Sequence, residues 1–591
     1  MKNTKRFIAL LLVALLLMTT ACSGNGGNSG TNSQSTNTSQ STNTSQSTNN
    51  SQSTNTSTAN TSQGTESTAD NSGAEPAPSE GPEKWELPIA PDKVTLTLFS
   101  VLDGKASVSL SSMEENFTVQ YYEELSNVHI SFQHPSSATT ITEALNNMFV
   151  SGQLTDIIFN IQSATDGIDA LIENGFILRL NEPIDKWGYY YNEVFKANPA
   201  FKASVTTYDG NIGHYATSRL DETTRYFESY VIRKDWLDKL NLQKPTTVQG
   251  WYEALTAIKN GDPNGNGQAD ELPFVSNKNE EMGIYRLSAM FGFNASYYKQ
   301  MACSIFDGKV VFASEAPGFN DYITTMNKWY AEGLLDPETF STDAAGWKEK
   351  VLTDRAGSFY GKMNGGIGTL LGSYDYANGD PNFNLEPIQY PFTDAEGVSY
   401  DFYSQEINDN GGAAISATCQ QVEYAVKYLD YMYSPEGQLM MDMGKEGYTY
   451  TVDANGVAHY TDLITKAEGL SLVQAIAKYC IGGIMPRMVN DANYWDAVMS
   501  YDQQRMVWPT VRDSSRERKC PQHLKYSQEE QSRLNTLMAD IETYYKEGVQ
   551  GFVTGTRPLS ELDAFKAQLK NMGLDEAVGI MQTSYDRYVA Q

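Results

Sequence analysis

A strand–helix–strand–helix–strand succession between residues 94 and 159 leaves few folds open. Val94–Val101 (VTLTLFSV) alternates apolar and polar side chains, the period of a strand. Residues 111–127 set Phe117, Tyr121, Tyr122 and Leu125 on one helical face, and Val128–Phe132 is a second strand. Residues 140–152 place Ile141, Ala144, Leu145, Met148 and Phe149 along one side of a second helix. Thr155–Phe159 is apolar enough for a strand covered on both faces. Strands joined through helices run parallel with right-handed crossovers, so the segment predicts an α/β lobe. Ligands of such sheets bind beyond the carboxyl ends of the strands, which puts Asn160, Gln162 and Ser163 at the edge of a site.

Further elements follow. Tyr230–Leu240 (YVIRKDWLDKL) reads as a strand running into a short helix. Pro245 leads into Thr246-Thr247-Val248-Gln249, a capping box opening a helix through Ile258. Gly308–Phe312 and Ala356–Tyr360 read as strands, and Phe319–Glu332 and Gln421–Tyr433 as helices. Most of the last hundred or so residues carry helical periodicity. With 591 residues and roughly 150 per domain, more than one lobe is expected. Hydrophobic residues at 40% suffice for a sizeable core.

The amino terminus reads differently. Lys2, Lys5 and Arg6 precede the apolar run Phe7–Met18, which is well short of the roughly 20 residues that span a bilayer. Residues 1–21 therefore read as a signal peptide. Thr19-Thr20-Ala21 before Cys22 resembles a bacterial lipobox, although Thr19 stands where such boxes usually have Leu. That resemblance implies a lipid-modified Cys22, an exported chain, and a tether to the extracellular face of the cell membrane. Residues 22–86 read as a lipid-anchored disordered linker: the hexamer Gln-Ser-Thr-Asn-Thr-Ser starts at Gln34, Gln40 and Gln52, and almost nothing is apolar. Such a spacer reaches roughly 45 Å end to end.

Charge excludes some partners. Lys plus Arg total 43 against 72 Asp plus Glu, a formal charge of −29. A nucleic-acid surface needs clustered cations, and so does a basic membrane-surface protein. After Cys22 only Cys303, Cys419, Cys480 and Cys520 remain, too widely spaced for a zinc site or small disulfide framework, and their pairing is open. The five His are scattered, without a metalloprotease or nucleophile-elbow motif.

One stretch carries metal chemistry. In Asp262-Pro-Asn264-Gly-Asn266-Gly267-Gln268-Ala-Asp270-Glu271, oxygen side chains stand at positions 1, 3, 5 and 9 and Gly at 6 of an EF-hand-type loop. Gln268 offers its main-chain carbonyl at position 7. Ca²⁺ takes six to eight oxygens, and alternate residues of a tight loop can aim theirs inward. Position 12 is Pro273, so Glu271 is the expected closing carboxylate. A lone structural Ca²⁺ site is expected, held by Asp262, Asn264, Asn266, Gln268, Asp270 and Glu271.

Together, Leu154–Phe159, Tyr230–Leu240, Pro245–Thr247, Asp262–Pro273, Trp329–Glu338, Ser434–Gly437, Gly551–Gly555 and Tyr585–Arg587, with Cys22, resemble the bacterial extracellular solute-binding lipoproteins (family 1) of ABC sugar importers. The larger subgroup similar to alginate-oligosaccharide binding proteins looks nearest, and in it the acidic loop is a calcium site. The resemblance implies an α/β, two-lobe, periplasmic-binding-protein-like (type II) fold with hinge strands and a helical C-terminal extension. It implies a solute-binding domain over 87–591, with lobe one at about 90–210 and 380–440 and lobe two at about 211–379 and 441–591. The implied function is capture of an oligosaccharide between the lobes and delivery to ABC transporter permease subunits, without catalysis. Trp495 is expected to stack on sugar, with Asn160, Gln162, Arg286 and Glu406 near the cleft. Two other readings are weighed against it. A secreted carbohydrate-active enzyme would need paired carboxylates across the cleft. A calcium-dependent adhesin fits poorly with the βαβ start.

Overall fold

The computed structural model describes residues 81–591 except 280–282, 298–300, 392–397, 405, 482–484, 486–496, 513–514 and 591. The chain divides at Ala77/Pro78, and the described structure lies in the second unit. The expected signal peptide, Cys22, most of the linker and Trp495 fall outside the described residues.

The chain runs through β1 (Val94–Phe99), α1 (Phe117–Ser126), β2 (Val128–Gln133), α2 (Ile141–Ser151), β3 (Ile157–Phe159) and β4 (Tyr215–Ser218). Next come β5 (Glu228–Arg233), α3 (Lys234–Lys239), α4 (Val248–Asn260), α5 (Phe319–Ala331), β6 (Ser358–Lys362) and β7 (Leu385–Ile388). Then follow β8 (Asn408–Ile415), α6 (Val422–Asp430), α7 (Pro435–Met443), and the terminal helices α8 (Gln528–Thr554), α9 (Leu562–Asn571) and α10 (Leu574–Val589).

The first lobe is built on a five-stranded sheet, order β2-β1-β3-β8-β4. β1 pairs parallel with β2 (Val94↔Val128) and with β3 (Leu98↔Ile157), as the βαβαβ pattern requires. β8 enters antiparallel, Ala413 against Phe159. The second sheet, order β6-β5-β7, is antiparallel, with Tyr230 opposite Tyr360 and Ile388. The chain thus leaves the first sheet after Ser218 to enter the second at Glu228, and leaves the second after Ile388 to rejoin the first at Asn408. The second core gathers the fully buried Trp236, Trp251 and Trp329 with α8, α9 and α10, including Ile541, Phe552, Phe565 and Leu574.

Local reasons for the elements are visible. Thr140 caps α2 through a reciprocal box with Glu143. Residues 111–127 were expected as one helix, but a short 3₁₀ turn at Met113–Glu115 precedes α1. Asn116 makes the break: its Oδ1 accepts from Thr118 N (3.0 Å) and Val119 N (3.2 Å), while its Nδ2 donates to Ala477 O (3.0 Å). The expected capping box at α4 is a one-way cap. Thr247 accepts from Gly250 N at 3.0 Å, and glycine has no side chain to reach back.

Candidate ligand cleft and calcium loop

A cleft of about 790 Å³ opens between the first lobe and the start of α8. Gln162, Thr165–Ala170, Ser204–Tyr208, His214 and Asn408 line one side, and residues 522–536 the other. It lies past the carboxyl end of β3, where a doubly covered sheet presents ligands. Gln162 is held by its Oε1, which accepts from Gly412 N at 2.7 Å. A Cβ on Gly412 would lie 2.3 Å from His214 Cδ2 and 2.6 Å from Gln162 Nε2, so only glycine lets these side chains meet there. His523 Nε2 donates to Asn408 O at 2.7 Å, joining the two sides.

Several polar groups on the cleft lining have no partner. Gln162 Nε2, both ring nitrogens of His214 and Asn408 Oδ1 are buried and unbonded. Burial, helped by His523, pushes the His214 imidazole down to about 4, so it is neutral near pH 7. Burial also lowers Lys525. A buried polar group without a partner costs about 1–3 kcal/mol.

Of the residues singled out from sequence, Gln162 lines this cleft. Asn160 ends β3 in the left-handed region (φ 60°), half-buried. Arg286 lies 4% exposed in the second core, its guanidinium 3.8 Å from the Tyr403 ring centroid and 3.7 Å from Glu228 Oε2. Glu406 sits 3.4 Å from Lys519 Nζ and accepts from Gln522 N, just behind the cleft wall. His214, Asn408 and the 522–536 segment escaped sequence reasoning. No local period marks them, because β8 and α8 reach the site from hundreds of residues away.

The acidic loop is tightly wound. Gly265 and Gly267 both take φ of 73°, a region that favours glycine. Asp262 Oδ2 accepts from Gly267 N (3.1 Å), Asn264 Oδ1 from Asn266 N (2.9 Å) and Asn266 Oδ1 from Gln268 N (2.7 Å). The loop ends on a bridge between Leu272 and Ala356, and Leu272 N donates to Arg355 O at 2.7 Å. Asp262 Oδ1 and both Glu271 oxygens are buried without partners. Burial, with the charges of Asp270 and Asp262 added, pushes the Glu271 carboxyl up. Among the described residues no three His, Cys, Asp or Glu side chains form a metal cluster. Orphaned, mutually repelling carboxylate oxygens around a glycine-wound loop fit a hard cation.

Residues 106–439 match the family model for bacterial extracellular solute-binding proteins. The fructooligosaccharide ABC transporter substrate-binding protein FusA of Streptococcus pneumoniae is 24% identical over 516 residues, 83% of this chain and 90% of that protein. The structure of alginate-binding protein AlgQ2 without calcium ion superposes with a TM-score of 0.70 at 24% identity, covering 84% of this chain and 99% of that one. FusA with kestose gives 0.66 at 21% identity over 84% and 100%. The FusA EF-hand mutant with fructo-nystose gives 0.67 at 21% identity over the same shares. These neighbours share the two-lobe fold. With a family match over more than half of its length, the chain belongs to the bacterial extracellular solute-binding protein family.

Proposed function

We propose that this chain is a lipid-anchored receptor that captures an oligosaccharide between its lobes and passes it, chemically unchanged, to the permease of an ABC importer. The cleft carries the reading. About 790 Å³ between two lobes, lined by Thr165, Thr207, Gln528, Gln531 and Asn535 and flanked by Tyr208 and Tyr526, has the size and mixed lining of a saccharide site. FusA supports it by its name and its kestose complex. A ligand touching both sides shifts the lobes toward closure by its difference in affinity for the two states. Lobe one then comprises the five-stranded sheet with α1, α2, α6 and α7, and lobe two the three-stranded sheet with α4, α5 and α8–α10.

Calcium in the 262–271 loop is part of the proposal. Asp262, Asn264, Asn266, Asp270 and Glu271 would hold the ion with the carbonyl of Gln268, and it would neutralise their charge. The structures of AlgQ2 without calcium ion and of the FusA EF-hand mutant support this. Cys22 would carry the lipid on the extracellular face, and Cys22→Ser should release the chain into the medium.

Incubating the purified full-length chain with an oligosaccharide panel tests the reading. A saturable rise in melting temperature with every saccharide recovered intact is expected. Cleaved saccharide, or no shift across the panel, would end it.

A further inference from the structure

We infer that the saccharide is read from lobe two by an amide-and-hydroxyl stripe on α8, made of Gln528, Gln531, Ser532, Asn535 and Thr536, and stacks from lobe one on the ring of Tyr208. This rests on the saccharide capture proposed above. It assigns the contact residues and the form of the ligand, a linear oligomer of two or more units laid along the helix.

Three observations carry it. The first is the spacing on α8. The five residues stand at i, i+3, i+4, i+7 and i+8, the period of a single helical face, and all five line the cleft. Leu534, Leu537, Met538 and Ile541 form the buried stripe of the same helix and pack into the second core. Gln531 is half-buried and the other four are exposed, so a ligand in the cleft can reach them. Glu529 is the one charged residue that α8 adds to the lining. Arg533 is taken up by Glu576 of α10, with Nε donating to Oε1 at 2.6 Å.

The second is what the stripe can bond. An amide carries a donor and an acceptor, and a hydroxyl does both. Gln531 Nε2 donates to Asn535 Oδ1 at 2.8 Å, which leaves Gln531 Oε1 to accept and Asn535 Nδ2 to donate. Sugar hydroxyls also donate and accept, so neighbouring hydroxyls satisfy both ends of this pair. From Gln528 to Thr536 the stripe runs roughly 12 Å along the axis, longer than one sugar ring.

The third is the platform. Of the exposed large hydrophobic side chains among the described residues, Tyr208 alone lines the cleft, at 44% exposure. The Arg587 guanidinium covers one face of its ring, 5.0 Å from the centroid. Arg587 is fixed on α8 in turn, donating to Glu530 Oε1 at 3.0 Å and to Oε2 at 2.6 Å. Glu530 adjoins Gln531, so the ring stands beside the start of the stripe, with its uncovered face left for the C–H face of a sugar.

The test is isothermal titration of the purified full-length chain with fructo-, malto-, xylo- and manno-oligosaccharides, from monosaccharide to pentasaccharide. The tightest binder of this set should bind at least about tenfold more tightly than its own monosaccharide, which is about 1.4 kcal/mol. Against that binder, Gln531→Ala with Asn535→Ala should lose about tenfold, and Gln528→Ala about threefold, with melting curves unchanged. Tyr208→Phe should keep wild-type affinity within about twofold, whereas Tyr208→Ala should lose about tenfold. Asp540→Asn, exposed on α8 outside the cleft, should bind as the wild type does. Wild-type affinity in the Gln531 and Asn535 double variant and in Gln528→Ala overturns the stripe, and so does an equal loss in Asp540→Asn. Wild-type affinity in Tyr208→Ala overturns the platform. Equal affinity for monosaccharide and oligomer overturns the form of the ligand. Each of these leaves saccharide capture standing, whereas binding by none of the saccharides overturns the proposed function itself.

Discussion

Glu271→Gln should move the melting temperature in opposite directions with and without calcium. Glu271 is 7% exposed, neither of its oxygens has a partner, and Asp262 and Asp270 lie close enough to raise its carboxyl further. Without metal, the substitution leaves a neutral amide where a buried carboxyl was repelled by Asp270 and Asp262, and should stabilise the fold. With calcium, the same carboxylate becomes a ligand. An ion at a hundred times its Kd contributes about 2.7 kcal/mol to stability. A tenfold loss of affinity removes about 1.4 kcal/mol of that. At roughly 1 °C per kcal/mol for a unit of about 500 residues, the wild type should gain about 2–3 °C between chelator and saturating calcium. The variant should start higher in chelator and gain about half as much. Differential scanning calorimetry in EDTA and in calcium reads both numbers. A variant that melts below the wild type in EDTA, or gains as much from calcium, refutes the reasoning.

Other substitutions probe the frame around the sites. Arg233 is 1% exposed, clamps both Asp235 oxygens at 2.9 and 2.6 Å, and reaches Asp354 at 2.8 Å. Arg233→Met should cost about 3–5 kcal/mol by denaturant unfolding, and Arg233→Met with Asp235→Leu should recover much of it; no recovery would contradict this account. Burial pushes the Asp430 carboxyl up to about 7, against bonds from Tyr191 N, Tyr190 N and Trp85 Nε1. In the unfolded chain it sits near 3.9, roughly, so its contribution is full below about pH 4 and is lost as pH rises through about 7. Asp430→Asn, which cannot ionise, should lose less melting temperature than the wild type across that window. A parallel fall would be the contrary result. Gly437→Ala would set a Cβ 1.9 Å from Tyr431 O, beside the Ser434 side chain that caps α7. It should abolish two-state folding or cost more than about 3 kcal/mol, and a native-like melt would rule the clash out.

How far each feature could be read from sequence follows from where its partners lie. β1, α1, β2, α2 and β3 carry their pattern within themselves, since β1 and β2 alternate, β3 is apolar and buried throughout, and amphipathic helices show their stripe. The acidic loop proposed to hold calcium is equally local, with every expected ligand between Asp262 and Glu271. The break at Asn116 is not local, because the carbonyl that receives its amide belongs to Ala477. The cleft is half local. Gln162 follows β3 directly, but His214 and Asn408 reach it only through the antiparallel pairing of β8 with β3 and β4. Arg286 shows the converse: a charged residue that sequence set near the cleft is stacked among Tyr360 and Tyr403 in the second core. Aromatic neighbours that bury a guanidinium are scattered in sequence, so nothing near position 286 announces them.

The separation of loop and cleft sets what calcium can do. The loop hangs on α3 and the entry to β6: Lys239 Nζ donates to Pro263 O at 2.7 Å, Asn264 Nδ2 to Asp354 O at 3.1 Å, and Gly357 N to Leu272 O at 3.0 Å. None of its residues is among those lining the cleft. An ion there would pin α3, the loop and β6 together without touching the ligand. Coupling between two sites is reciprocal, so a calcium effect on saccharide affinity would require an equal saccharide effect on calcium affinity. The geometry offers no differential contact to carry either. Titrating a bound saccharide in EDTA and in calcium, well below both melting temperatures, should give Kd values within about twofold, under about 0.4 kcal/mol of coupling. A tenfold difference would mean that the loop changes the closing equilibrium of the lobes, and calcium would then regulate capture rather than hold the second lobe together.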